Sequence, residues 1–95
     1  MDKDAPGVWR RCFESWPSEM ERRGVLVTAF GEQILFDNFA TSPDLLLVER
    51  RAPDTVGART VIVSYDQIAA LKIVDVAKAK AFQSMGFVAP PSRKP

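Results

Sequence analysis

Between residues 24 and 74 the chain alternates short apolar stretches with Gly, Pro, Asp or Ser at intervals of a few positions. A period of two places successive side chains on opposite faces of an extended backbone, and the interleaved breakers demand turns. Together they predict a meander of five short antiparallel strands. No other feature limits the fold of a 95-residue chain so strongly, because the remaining residues suffice only for a short helix at each end.

Val25, Val27 and Ala29 alternate with Leu26, Thr28 and Phe30, and both sets are largely apolar, so the first strand is expected to be covered on both faces. Phe30, Gly31 and Glu32 supply a tight turn with Gly31 at positive φ, residues 33–39 form the second strand, and Ser42, Pro43 and Asp44 mark the next bend. Residues 45–48 are an apolar run that ends in Glu49, Arg50 and Arg51, and the Pro, Asp and Gly of residues 52–58 make a hairpin loop. Thr60, Val61, Ile62 and Val63 are β-branched throughout and favour a fourth strand. Ser64, Tyr65, Asp66 and Gln67 interrupt it before residues 68–74 form the fifth.

Upstream, Asp4 and Pro6 suit a helix start, and residues 6–16 carry Val8, Trp9, Cys12, Phe13 and Trp16 on one helical face. Arg10, Arg11, Glu14 and Ser15 lie mainly on the other, and Pro17 disfavours helical geometry at Trp16. Ser18 and Glu21 have the spacing of a capping box. Downstream, Asp75 is expected to cap a short helix over residues 75–85 that Gly86 ends, with residues 88–95 as a flexible tail.

This length implies a single domain with one small core, which buries only about 60–65% of its unfolded surface and so gains from association with copies of itself. The formal charge of +1 argues against the broad basic surface of a protein that grips nucleic acid without sequence preference, so any such site must be local. No apolar run approaches the ~18 residues of a membrane span, and the polar start MDKDAPG does not read as a signal peptide; a cytoplasmic location away from membranes is the expectation. Cys12 has no second cysteine to pair with and sits among apolar neighbours, the setting of a small buried hydrophobe.

The order of a helix and then five short strands, with the fourth and fifth joined by only a few residues, resembles the Sm and Hfq-like small barrels. The resemblance spans residues 8–74 and rests on GEQILFDNFATSPDLLLV, residues 31–48, and VIVSYDQIAAL, residues 61–71. It implies a mainly β fold: a strongly bent, five-stranded antiparallel barrel of Sm-like or SH3-like type, with an N-terminal and a short C-terminal helix. It also implies rings, in which the fifth strand of one subunit pairs with the fourth of the next through Val61, Ile62, Val63, Ile68, Leu71 and Ile73. The alternative is a monomer or dimer whose edge is covered by the C-terminal helix.

Two departures bear on function. The family's bent second strand carries a glycine, whereas Leu35 and Phe36 stand near that place here. Carried across, the family's nucleotide pocket would be lined by Asp44, Tyr65 and Asp66, and two carboxylates would repel a phosphate. Tyr65 would still offer an aromatic face to a base; the competing reading is that it closes a turn and packs over the barrel end.

The meander brings Arg50, Arg51 and Arg59 to the opposite end, where repetition around a ring would create a basic face for RNA or an acidic partner. Against this stands pairing with Glu32 and Glu49 as solvated ion pairs, worth little each. A lateral strip of Arg10, Arg11, Arg22 and Arg23 is interrupted by Glu14, Glu19 and Glu21. With no histidine there is no standard base for Cys12 or a serine, and no cofactor or metal is called for. Two functions follow as expectations: an oligomeric RNA-binding protein, or a non-catalytic protein-interaction scaffold.

Overall fold

Strand β1, Gly24–Thr28, buries Gly24, Leu26 and Thr28 and half-buries the valines between them, as its apolar character on both faces requires. A computed structural model of the chain describes residues 5–88. It contains α1 (Ala5–Glu14), β1, β2 (Gln33–Thr41), β3 (Leu45–Arg50), β4 (Thr60–Ser64), a 3-10 turn (Tyr65–Gln67), β5 (Ile68–Lys72) and a 3-10 helix (Ala79–Met85). Every strand pairing is antiparallel, and the order across the sheet is β4-β3-β2-β1-β5.

A meander would set β5 beside β4; instead β5 pairs with β1, which places β4 and β5 at opposite edges although only the turn Tyr65–Gln67 separates them in sequence. Four strand spacings in a flat sheet come to ~19 Å. The four residue steps from Ser64 to Ile68 reach at most ~14 Å, and about 8 Å in 3-10 geometry. The sheet must therefore curl. No ladder joins β4 to β5 among the described residues, so the curled sheet is not closed.

Much of the bend in β2 comes from a bulge instead of a glycine. Phe36 faces Arg50 and Asn38 faces Glu49, which leaves Asp37 as the extra residue on β2. Inward positions run Ile34, Phe36 and then Phe39, so the bulge shifts the alternation by one and sends Phe39 into the core. Asn38 accepts a 2.9 Å hydrogen bond at Oδ1 from the Phe39 N–H, which helps to satisfy the displaced backbone. A second shift, between Val27 and Thr28, bends β1 against β5.

The core is Phe13 and Trp16 from the helical region, Leu26, Ile34, Phe36, Phe39, Leu46 and Val48 from the sheet, and Tyr65 and Ile68 beyond β4. Phe39 is its aromatic hub: ring centroids lie 5.0 Å from Phe13, 5.0 Å from Trp16 and 6.1 Å from Phe36, all edge-to-face. Arg22 lies across the outer face of that ring, 4.3 Å from its centroid, and donates a 2.9 Å hydrogen bond to the Phe39 carbonyl.

Several boundaries differ from the sequence expectation. Helix α1 stops at Glu14, short of residue 16, because Trp16 precedes proline; the Trp16 indole instead donates to the Glu21 carbonyl at 3.1 Å. Residues 17–20 make a single turn closed by the Met20 N–H on the Pro17 carbonyl at 3.1 Å. Strand β5 ends at Lys72, and the C-terminal helix begins at Ala79, not at Asp75. Asp75 does not cap it: its carboxylate accepts from Arg23 at 2.6 Å. The N-cap position falls on Lys78, three residues beyond Asp75, whose carboxylate is held by the ion pair instead. The proposed cap at Asp4, and the expected tail beyond Val88, lie outside the described residues. None of the helices described is long and apolar enough to cross a membrane.

Candidate functional site

Two turns meet at one end of the sheet. Strand β3 lies between the bend 42–44 and the loop 51–59, and β4 returns to the first of these ends, so Tyr65–Gln67 sits beside Ser42. The Tyr65 hydroxyl donates to the Ser42 carbonyl at 3.0 Å, and its ring is 1% exposed, so it offers no face to a base. Burial pushes its pKa above the ordinary tyrosine value. Asp44 and Asp66 remain on the exposed rim, where Asp66 accepts from the Ser64 hydroxyl at 2.8 Å and Arg10 donates to the Pro43 carbonyl at 3.3 Å.

At the opposite end the β3–β4 hairpin groups Arg50, Arg51 and Arg59 as expected. The Arg50 N–H donates to the Arg59 carbonyl at 2.7 Å. Among the described residues the acid that pairs with one of these arginines is Asp37, not Glu32 or Glu49. Arg51 lies 3.8 Å from Asp37, the residue that the bulge turns outward, and the Arg50 side chain donates to the Ala52 carbonyl at 3.0 Å. Asp54 accepts at Oδ1 from the backbone N–H groups of Ala58, at 2.8 Å, and Val56, at 2.9 Å, and these bonds hold its carboxyl below the ordinary aspartate range. Arg59 is exposed.

The sheet edges form the third surface. Because Arg50 and Arg59 share a ladder bond, alternation puts Val61 and Val63 in hydrogen-bonded pairs with Val48 and Leu46. Thr60, Ile62 and Ser64 consequently turn their N–H and C=O groups away from the sheet. Ile62 is 59% exposed, while Val61 and Val63 pack partly against the core. On β5 the Ile68 side chain is buried, so only its backbone can meet a partner; Leu71 and Ile73 are half-buried.

Sequence reading missed a fourth feature. Residues 73–88 fold back over α1, and an apolar cavity of about 590 Å³ lies between them, lined by Trp9 and Cys12 of α1, Leu71 and Ile73, and Phe82 and Met85 of the returning segment. Cys12 Sγ is 3.9 Å from Met85 Sδ, and burial pushes the thiol pKa up, the reverse of what a nucleophile needs. The sequence offered the apolar face of α1 and the alternative of a C-terminal helix over the sheet edge, but not that the two would enclose this space.

Comparison of the chain with protein-family profiles, with curated proteins and with solved structures found no match.

Proposed function

We propose that this protein is a non-catalytic, self-assembling scaffold of Sm-like or SH3-like type, joined copy to copy through β4 and β5. The observation that carries the reading is the outward-facing backbone of Thr60, Ile62 and Ser64 around an exposed isoleucine, on one of two unpaired edges that the same turn connects. An unpaired edge is a template for another strand, and a small domain gains stability by covering it. A catalytic reading has less to stand on, since the Cys12 thiol is disfavoured as a thiolate and the chain has no histidine to act on it.

Ile62→Pro tests this directly. Its ring would remove an N–H that points away from β3, so the β3–β4 ladder tolerates it while strand addition is blocked. Light scattering should show wild-type protein above monomer mass, and Ile62→Pro and Ile62→Lys as monomers with unchanged far-UV circular dichroism. A wild-type monomer across the micromolar range would overturn the proposal, as would assembly that both variants leave intact.

The grouping of Arg50, Arg51 and Arg59 favours a second reading, in which assembled copies present these arginines to RNA. Binding of a short single-stranded RNA that survives their joint replacement by alanine would remove that site from consideration.

A further inference from the structure

The segment 73–88 is attached unusually lightly for a piece of chain that covers a core helix. Its 3-10 helix, Ala79–Met85, buries no residue and is interrupted at Phe82, whose φ of −101° and ψ of 20° fall outside helical geometry. Val74, Val76, Phe87 and Val88 are exposed. Among the described residues, besides the weak Cys12–Met85 sulfur contact, two polar links pin the segment: Asp75 to Arg23, just before β1, and the Ser84 hydroxyl to the Ser15 carbonyl at 2.7 Å, just after α1. Beneath it the space of about 590 Å³ is open and apolar where a packed core would be filled. Few buried contacts, a broken helix and two clasps describe a unit that opens at a lower free energy than the sheet.

What the segment covers is specific. Phe82 and Met85 line the same apolar space as Leu71 and Ile73, which lie on and just beyond the free edge strand β5. A strand added to that edge would project its own side chains onto this ground. We propose that residues 73–88 form a strap that competes with a second copy of the chain for the apolar surface beside β5, so that releasing the Arg23–Asp75 clasp promotes assembly. The inference rests on the edge-pairing reading for its partner, but the strap itself does not.

The clasp is the point of control because it fixes the segment where it leaves the sheet. Arg23 donates to one Asp75 oxygen through both Nε, at 3.0 Å, and a terminal nitrogen, at 2.6 Å, and the carboxylate is the better shielded partner. Asp75→Asn keeps the size and removes the charge; Ser84→Ala removes the second pin. Cys12 reports on opening, since its half-buried thiol faces the cavity under the strap.

The experiment measures two quantities on full-length protein: the rate at which Cys12 reacts with a thiol reagent in unfolded-corrected native conditions, and the assembled mass over a concentration series. Asp75→Asn and Ser84→Ala are expected each to speed Cys12 labelling severalfold, and the double variant more than either, with the far-UV spectrum retained. The concentration needed for assembly should fall in the same order. Unchanged labelling in the double variant overturns the strap. Faster labelling with assembly unchanged or weakened overturns the competition while leaving the strap, and wild-type and variant monomers at every concentration would instead remove the edge-pairing reading.

Discussion

The hydroxyl of Tyr65 donates a 3.0 Å hydrogen bond to the carbonyl of Ser42, which ties the turn between the two edge strands to the bend between β2 and β3. The ring behind it is core, so the residue closes the curl of the sheet from inside. Tyr65→Phe should cost about 1 kcal/mol, the net worth of one hydrogen bond, because the ring still fills its site. Tyr65→Ala should cost about 3–5 kcal/mol, as for other large core aromatics. Urea denaturation resolves both; equal losses for the two variants would show that the hydroxyl, not the ring, matters.

The same burial makes alkaline stability sensitive to this residue. With its pKa raised in the folded chain, neutral Tyr65 contributes stability that is fully present below pH ~10, the ordinary tyrosine value, and is lost as pH rises through the higher folded value. The midpoint of urea unfolding should fall above pH ~10 in wild type, and the fall should be shallower in Tyr65→Phe.

Phe39 should be among the costliest single aromatics to truncate. It contacts Phe13, Trp16 and Phe36 and is capped by Arg22, so Phe39→Ala should lose about 3–5 kcal/mol. Arg22→Ala should lose about 1 kcal/mol through its partly exposed ring contact and its bond to the Phe39 carbonyl. Thermal and urea unfolding of the two single variants and the double would show non-additive losses, since one residue covers the other.

Gly24 is required by close approach. A Cβ there would lie 2.6 Å from the Lys72 carbonyl oxygen across the β1–β5 ladder, and that atom is backbone. Gly24→Ala must push the two strands apart and should cost about 1–3 kcal/mol. Amide exchange should show lost protection concentrated at Val25, Val27 and Ala70, with β2–β3 protection unchanged.

Asp54 should act in the opposite pH range. Its carboxylate is held below the ordinary value first by the Ala58 N–H, and by Val56 as well, so its contribution is present above pH ~4 and lost as pH falls through the folded value. The Val56 and Ala58 amides should lose exchange protection on acidification, and Asp54→Ala should produce that loss at neutral pH while leaving the β1–β2 ladder intact.

The elements legible in the sequence were those whose cause is local. Five strands, the Gly31 turn with its φ of 88°, the bend at 42–44 and the arginine-bearing hairpin all follow from alternation and breakers within a few residues. The shared end of Asp44 and Asp66 was legible for the same reason, since alternate turns of antiparallel strands fall at the same end. The bulge at Asp37 was not, because one unpaired residue leaves Ile34, Phe36 and Phe39 looking like an imperfect period of two. Nor was the choice of acids for the arginines: Asp37 reaches Arg51 only because the bulge aims it outward.

By itself the sequence determined the number of strands, their succession along the chain and the apolar face of α1, because side-chain alternation and turn chemistry act over a few bonds. That β5 lies beside β1 and not beside β4 was decided by the tertiary structure. Tertiary structure alone decided that Tyr65 belongs to the core, that Asp75 binds Arg23 instead of starting a helix, and that the chain after β5 returns over Cys12. Each of these depends on groups more than twenty residues apart meeting in a curled sheet, where burial and charge pairing outweigh local preference.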